Sequence, residues 1–591
     1  MINVIRNFKE GILKLNHIDK VIVIVCLYYF YMLIKRMFLS VELTDEIYYL
    51  TSAYQLFNGA SPIGGIWSVL STSSVLILPF FYVFKIFSPD FTGIVLFMRL
   101  VYLCYMFLFS WFMKSVLSNY TSTKNAILLS IVPLFFVYLN LTQLSYNTLS
   151  ITLFSAGVIL FWHCNEQSYS NDRNLFLSGL LTLLACFCYP TLLLAFPFLL
   201  GLLYIRSKRQ EKKILIRRLL LYIFGYLVPG LLLVLSIIIW SGVDNFIQGI
   251  NFTLSSHNLD TYYKKAIGEF SYFANIFGAI KSKGLIVPFT LVVISGIVLL
   301  IYLAKRKNKS SELMTAVVIV LIGACALFFV APHLWISMKQ YYFYTAFLIV
   351  VLYLTFFIDN KKRSLNMFVF IYIPSLILYY VRFYASNNPW LIIQSSSLFI
   401  LMIFSISIIL IEIEKVKNKK NGVSIVLLSL ILCGIGLIQF YGYIYRDDKA
   451  SELNSMVSSG IYKGCLTTEI RKDSIERIQI EIDSQISEYD TIMIPSRFTA
   501  GYLMSRAKIH SPDTWSLILE NYNVNSVKRI IQYNEYKERK PSKIIIVEWY
   551  GSKFKLEDDE NELNIMLKNE YEEYYTSNIN DYFNLHIFRL N

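Results

Sequence analysis

The chain has 591 residues, 56% hydrophobic and only 16% charged, with a formal net charge of +14 and a mean hydropathy of +0.52. That composition excludes an ordinary soluble globular protein and marks a polytopic membrane protein. Nucleic-acid binding is excluded by where the charge lies: residues 446–591 hold 19 Lys and Arg against 24 Asp and Glu, so the positive surplus sits entirely before them, in short loops.

Apolar runs of about 17 to 24 residues recur from Ile18 to Ile444, each long enough to cross a bilayer as a helix. The first, near 18–40, follows an N-terminus carrying Arg6, Lys9, Lys14 and Lys20. It has no small-residue cleavage site and reads as a retained anchor. The positive-inside rule places this N-terminus and the basic loops at 206–218, 305–309, 361–363 and 415–420 in the cytoplasm. The segment 69–88, VLSTSSVLILPFFYVFKIFS, is expected to stay outside as an interfacial helix. A crossing there would export RSKRQEKKILIRR, and its Ser/Thr cluster, Pro79 and Lys85 suit an interface. Further spans are expected near 94–115, 125–142, 148–164, 174–189, 190–205, 218–240, 284–304, 312–331, 341–358, 365–381, 390–411 and 423–444. With the first they make about thirteen crossings, an odd number that puts the tail outside.

The expected fold is therefore an all-α polytopic membrane domain over 1–445, with juxtamembrane helices in a first outer loop at 41–93. A small extracytoplasmic α/β domain over 446–591 follows. In that tail TIMIPS and KIIIVEWY read as buried strands and EIRKDSIERIQIEIDSQISEYD as a helix, with no nucleotide-binding glycine fingerprint. Seven of the eight cysteines lie in or beside apolar runs and Cys465 is alone in the tail, so they read as packing residues. The six histidines are scattered without zinc spacing. Asn251-Phe252-Thr253 fits a glycosylation sequon, which matters only in a host that uses one.

This topology gathers four features at one outer face. SVELTDEIYYLTSAYQLFNG carries Asp45 and Glu46 just after the first span, and TQLSYNTLS carries Tyr146 and Asn147. Arg99 lies near the outer end of the second span, and APHLWISMKQYY carries His333 and Lys339. Each has an ordinary alternative. Asp45 and Glu46 can cap a helix, and so can Asn147. Arg99, Lys35 and Arg36 can snorkel to headgroups, and an aromatic interfacial loop accounts for Lys339 and His333.

The acidic pair after the first span, then the amphipathic IYYLTSAYQLFNG and an interfacial apolar helix, resembles the GT-C glycosyltransferases. The branch is the one typified by protein O-mannosyltransferases and aminoarabinose lipid A transferases. FMRLVYLCYMFLFSWFMKSVL is similar to that branch's second span, with Arg99 at the matching arginine. KQYYFYTAF resembles a later Arg-Tyr segment, with Lys339 in place of arginine, and YKGCLTTEI is similar to part of the outer domains of some bacterial members. The chain departs at Asn147, where the branch often has Asp, and at Tyr189-Pro190, where it often has Lys-Gly.

The resemblance implies an inverting glycosyltransferase of a bacterial plasma membrane. It would move a sugar from a polyprenyl-phosphate donor, held among membrane lipids, to an acceptor hydroxyl of an envelope glycan, lipid or protein on the outer face. It implies Asp45 as base with Glu46 in support, Arg99 and Lys339 as the donor-phosphate clamp, and Tyr146, Asn147 and His333 at the substrate. No cofactor is required, a divalent cation (Mg or Mn) staying open. One base and a cationic clamp suffice for such a displacement. Two other functions fit the composition. A polysaccharide flippase or exporter is disfavoured because charges gather at one face and no repeat is evident. A glycan polymerase or ligase with a lipid diphosphate donor is disfavoured because the 241–283 loop has four Lys and one His rather than many Arg and His.

Overall fold

The computed structural model describes residues 17–68, 70–166, 172–208, 211–255, 351, 355, 361–385, 395–416, 423–515, 524–549, 556, 562–581 and 583–591. The protein is mostly helical, with a small C-terminal sheet. Seven helices among the described residues are long and apolar enough to cross a membrane: Asp19–Phe38, Ile94–Leu117, Tyr146–Glu166, Pro190–Ser207, Lys212–Ser241, Lys362–Arg382 and Ile425–Gly442.

In chain order, α1 (His17–Phe38) leads into a short outer run and α2 (Asp45–Phe57), which ends at Gly59 in the left-handed region, φ 94°. Next come α3 (Ser71–Phe87) and, after Gly93 at φ 82°, α4 (Ile94–Leu117). α5 (Thr123–Ile131), α6 (Tyr146–Glu166), α7 (Asp172–Cys188), α8 (Ala195–Ser207), α9 (Lys212–Ser241) and α10 (Val243–Ser255) follow. α11 (Ile373–Ala385), α12 (Phe399–Val416) and α13 (Val423–Gly442) complete the membrane part.

The described residues thus carry fewer full-length spans than the apolar runs suggest. The expected spans at 284–304, 312–331 and, apart from residues 351 and 355, 341–358 lie outside the described residues. At 125–142 the α-helix stops at Ile131, because Pro133 cannot continue the hydrogen-bond ladder, and Leu139 and Asn140 turn the chain at φ 51° and 58°. At 174–189 the helix has 17 residues, and the described helix at 390–411 begins only at Phe399.

The tail folds as a mixed sheet between helices. A two-stranded ribbon pairs β1 (Ser455–Met456) with β2 (Leu466–Thr467), and α14 (Glu469–Gln485) follows. The larger sheet contains β3 (Thr491–Met493), β4 (Lys508–Ile509), β5 (Lys543–Trp549), β6 (Tyr571–Asn580) and β7 (Phe583–Leu590), ordered β4-β3-β5-β7-β6. β3 pairs parallel with β4 and β5, and β7 pairs antiparallel with β5 and β6. Strand alternation divides β5 between two cores. Ile545 and Val547 join Ile475, Ile478 and Ile482 of α14, whereas Ile544 and Ile546 join Val527 and Ile530 of α15 (Val524–Tyr536) and Leu563 of α16 (Glu562–Glu570). The two strands and the helix expected from sequence are β3, β5 and α14; the β6–β7 hairpin was not among them.

This domain is bonded to the first outer loop along its length. Ser40 N donates to Leu466 O at 2.8 Å, Ala500 N to Leu43 O at 3.0 Å, and Trp67 N to Pro512 O at 2.7 Å. At the far end Gly93 N donates to Gly460 O at 3.0 Å and Val95 N to Ile461 O at 3.2 Å. The segment between α1 and α4 therefore starts and finishes on the same domain.

Candidate active site

The site begins at the first turn of α2. The cap there is neither Thr44 nor the acidic pair: Glu42 Oε2 accepts Thr44 N at 3.0 Å and Glu46 N at 2.7 Å. Thr44 makes no side-chain cap bond and donates its hydroxyl to Arg497 O at 2.9 Å. Glu42, not Asp45 or Glu46, thus makes the capping hydrogen bonds, although both acids stand in the first turn, where the helix dipole favours them. Burial pushes the Glu42 carboxyl up to about 8, with the adjacent Asp45 carboxylate adding to the effect and Arg446 opposing it.

Asp45 is 5% exposed and uses only one of its oxygens. Oδ2 accepts the Tyr445 hydroxyl and the Arg446 guanidinium, the latter at 2.8 Å. Oδ1 accepts no hydrogen bond among the described residues. Arg446 sits at φ 54°, a left-handed conformation costly for a side chain of this size, and its other terminal nitrogen reaches Glu42 Oε1 at 3.4 Å. Next in sequence, Asp447 Oδ2 accepts Val41 N at 2.8 Å. Three consecutive residues after the last span thus strap residues 41–45. Arg497 lies close to this cluster; burial lowers its pKa and the like charge of Arg446 lowers it further.

Glu46 has a different partner. Arg99 donates to both of its oxygens at 2.7 Å and spends its remaining N–H groups on Met37 O, Leu39 O and Ser40 O at 2.9 to 3.1 Å. All five guanidinium donors are engaged, and Arg99 is 1% exposed. In this structure Arg99 spends its donors on Glu46 and the backbone rather than standing open to a phosphate, and together the two residues fasten the end of α1 and the start of α2 to α4. Arg36 likewise does not snorkel, but bonds Phe440 O, Leu39 O and Asn140 O.

One turn along α2, Tyr49 extends the site toward α6. Its hydroxyl oxygen accepts Asn147 Nδ2 at 3.2 Å, and its ring meets Tyr146 edge-on at 5.5 Å. Asn147 Oδ1 and the Ser150 hydroxyl take the guanidinium of Arg382, which lies 4.6 Å above the Tyr189 ring. The structure therefore brings Asp45, Tyr146 and Asn147 to one polar wall. His333 and Lys339 lie outside the described residues. Where the resembled branch has a lysine, Tyr189 instead supports a cation supplied by α11.

Glu42, Tyr445, Arg446, Arg497 and Arg382 were not anticipated as members. Arg382 carried a signal, a lone arginine closing an apolar run; Tyr445 and Arg446 carried only their place at the last span's exit. Among the described residues no three of His, Cys, Asp and Glu form a group able to hold a metal ion. No protein-family model matches the chain, and no curated protein matches it.

Proposed function

We propose that this chain is a membrane glycosyltransferase moving a sugar from a polyprenyl-phosphate donor to an acceptor hydroxyl at the outer face, with Asp45 as base. The observation that carries this reading is the division within one carboxylate: Oδ2 is held by Tyr445 and Arg446, while Oδ1 accepts no hydrogen bond among the described residues. A general base needs one oxygen fixed for aim and one lone pair within reach of a hydroxyl. A carboxylate serving structure alone at this depth has both oxygens occupied, as Glu46 does.

In the proposed step the acceptor hydroxyl gives its proton to Oδ1 as its oxygen bonds the anomeric carbon. The bond from that carbon to the phosphate oxygen breaks, and the lipid phosphate leaves with the electron pair. Arg446, with a third of its side chain exposed, takes the part first expected of Arg99. Its guanidinium stabilises the charge that grows on the leaving phosphate as the bond breaks.

The helix geometry supports an interfacial site. Asn147 and Glu166 stand at opposite ends of α6, about 30 Å apart by helical rise, which is the thickness of a bilayer's hydrocarbon core. At the Glu166 end Arg363 pairs with Glu166 and Glu412, within the basic stretch 361–363. The positive-inside rule assigns that end to the cytoplasm and Asp45 to the outside. With residues 40 and 93 both bonded to the tail, this reading keeps α3 on the outer side and the tail with it.

The test is complementation. Envelope glycans from cells lacking this protein should miss a sugar that wild-type protein restores. Asp45→Asn keeps the shape but not the basicity, and should insert normally yet transfer roughly a hundredfold less. Full restoration by well-expressed Asp45→Asn protein would remove Asp45 as the base.

A further inference from the structure

We propose that Tyr49 holds the reacting hydroxyl of the acceptor, donating its own O–H to that oxygen while Asp45 takes the proton. Asn147 and Arg382 stand behind it as positioning residues. This adds a second contact to the transferase reading and rests on it.

The direction of the Tyr49 hydroxyl is set from α11. The Arg382 guanidinium can only donate, and it meets Asn147 Oδ1 and the Ser150 hydroxyl. The amide oxygen of Asn147 therefore faces α11. Its amino group faces α2, where Nδ2 donates to the Tyr49 hydroxyl oxygen at 3.2 Å. Tyr49 is thus the acceptor toward α6, which leaves its own proton to point elsewhere. Among the described residues that O–H donates to nothing, although Tyr49 is only 6% exposed. Burial, then the neighbouring Tyr146 and the Asp45 charge, push the Tyr49 hydroxyl well above the usual tyrosine range, so it stays a donor.

Buried groups with unspent hydrogen-bonding capacity are uncommon, and here two of them complement each other. Tyr49 has a spare donor, and Asp45 Oδ1 has spare lone pairs. The two residues stand one turn apart on the same face of α2, about 6 Å by helical rise. Tyr445, which holds Asp45 Oδ2, also packs against the cluster of Tyr48, Tyr49 and Leu141. No hydrogen bond joins Tyr49 to Asp45 among the described residues. What satisfies both is a group that accepts from one and donates to the other. A hydroxyl does so, whereas an ionised phosphate offers no proton and an ammonium no lone pair. A bridging water has the same capacity and is the rival occupant.

A seated hydroxyl has each of its valences used. One lone pair accepts from Tyr49, the proton passes to Asp45 Oδ1, and the other lone pair bonds the anomeric carbon as the phosphate leaves with its electron pair. Tyr49 keeps its proton throughout.

The experiment expresses full-length variants in cells lacking the chromosomal copy and measures the sugar restored to envelope glycans per amount of inserted protein. Each variant is also purified into nanodiscs for its thermal midpoint. Tyr49→Phe should restore about tenfold less sugar at a nearly unchanged midpoint. Asn147→Asp is the discriminating change. Its carboxylate pairs with Arg382 but can only accept, so the Tyr49 O–H turns round to donate to it and is withdrawn from the site. Transfer should again fall about tenfold while the midpoint holds or rises, which a purely structural asparagine would not produce. Tyr49→Phe combined with Asn147→Asp should fall no further than Tyr49→Phe alone, because Asn147 acts through that hydroxyl.

Normal transfer by Tyr49→Phe, or transfer lost only in step with the midpoint, overturns the proposal whatever becomes of Asn147→Asp. A lowered midpoint with normal transfer assigns the gap to a bridging water only. Losses that multiply in the double variant overturn the positioning role of Asn147. Normal transfer by Asp45→Asn alongside loss by Tyr49→Phe would remove the base and keep the Tyr49 contact. Loss by Asp45→Asn alongside normal transfer by Tyr49→Phe would do the reverse, and cells that miss no sugar would remove both.

Discussion

The guanidinium of Arg99 holds both oxygens of Glu46, each at 2.7 Å, with neither residue more than 2% exposed. Removing one partner of such a pair strands the other charge, at a cost of roughly 3–5 kcal/mol. Arg99→Ala should therefore cut the yield of monodisperse protein and lower its thermal midpoint, and Arg99→Lys should rescue poorly because an ammonium cannot form the two-pronged contact. The double change Arg99→Met with Glu46→Leu should recover much of the stability. A stable Arg99→Ala protein that had merely lost donor use would return Arg99 to the phosphate.

Under the proposed function, Tyr445 and Arg446 aim Asp45, and Arg446 also faces the leaving phosphate. Tyr445→Phe deletes one hydrogen bond to Oδ2, worth about 1 kcal/mol, so transfer should fall about fivefold with only a small drop in the thermal midpoint. Arg446→Ala should lose more than Arg446→Lys, which keeps the charge but not the fork spanning Asp45 and Glu42. Transfer assays across this series check the ranking.

The tail carries its own pH response. His510 is buried with Nε2 2.9 Å from Asn534 Oδ1, and burial, helped by Arg539 and Lys537, holds its pKa down to about 4, whereas an exposed histidine titrates near 6.5. Between those values the unfolded chain binds a proton that the folded chain does not. Stability of this region therefore rises with pH through the window and is lost as pH falls, by up to about 3 kcal/mol. Hydrogen exchange of peptides covering 508–515 in the full-length protein, corrected for intrinsic rates, should show the loss, and His510→Gln should flatten it.

Single cysteines at Ser88 and Tyr489 should both react with a membrane-impermeant maleimide from outside intact cells, whereas one at Lys213 should react only after permeabilisation. Labelling of Ser88 and Tyr489 from opposite sides would contradict their shared domain contacts.

How much of this was legible in the sequence follows from the range of each interaction. Helix α2 opening at Asp45, the strands β3 and β5, and α14 are local patterns of period 3.6 or 2, and they read correctly. The convergence of Asp45, Tyr146 and Asn147 followed from counting loops onto one face. Pairings could not be read in this way. Nothing within a helical turn of Arg99 announces Glu46, 53 residues earlier, as its partner, and Tyr445 lies 400 residues from Asp45. Arginines near span ends look alike in sequence; only the fold distinguishes the saturated Arg99 from Arg446, which keeps a third of its side chain exposed.

The strap from Tyr445 to Asp447 has a consequence for how the protein is made. Synthesis runs from the N-terminus, so the turn bearing Glu42 and Asp45 is inserted long before its partners exist. Until residues 445–447 have been made and have reached this turn, Asp45 lacks Tyr445 and Arg446, and Glu42 lacks the Arg446 guanidinium. Under the proposed function, a nascent or truncated chain therefore lacks the groups that aim its base. On that reading, competence arrives only when translation and insertion are both finished.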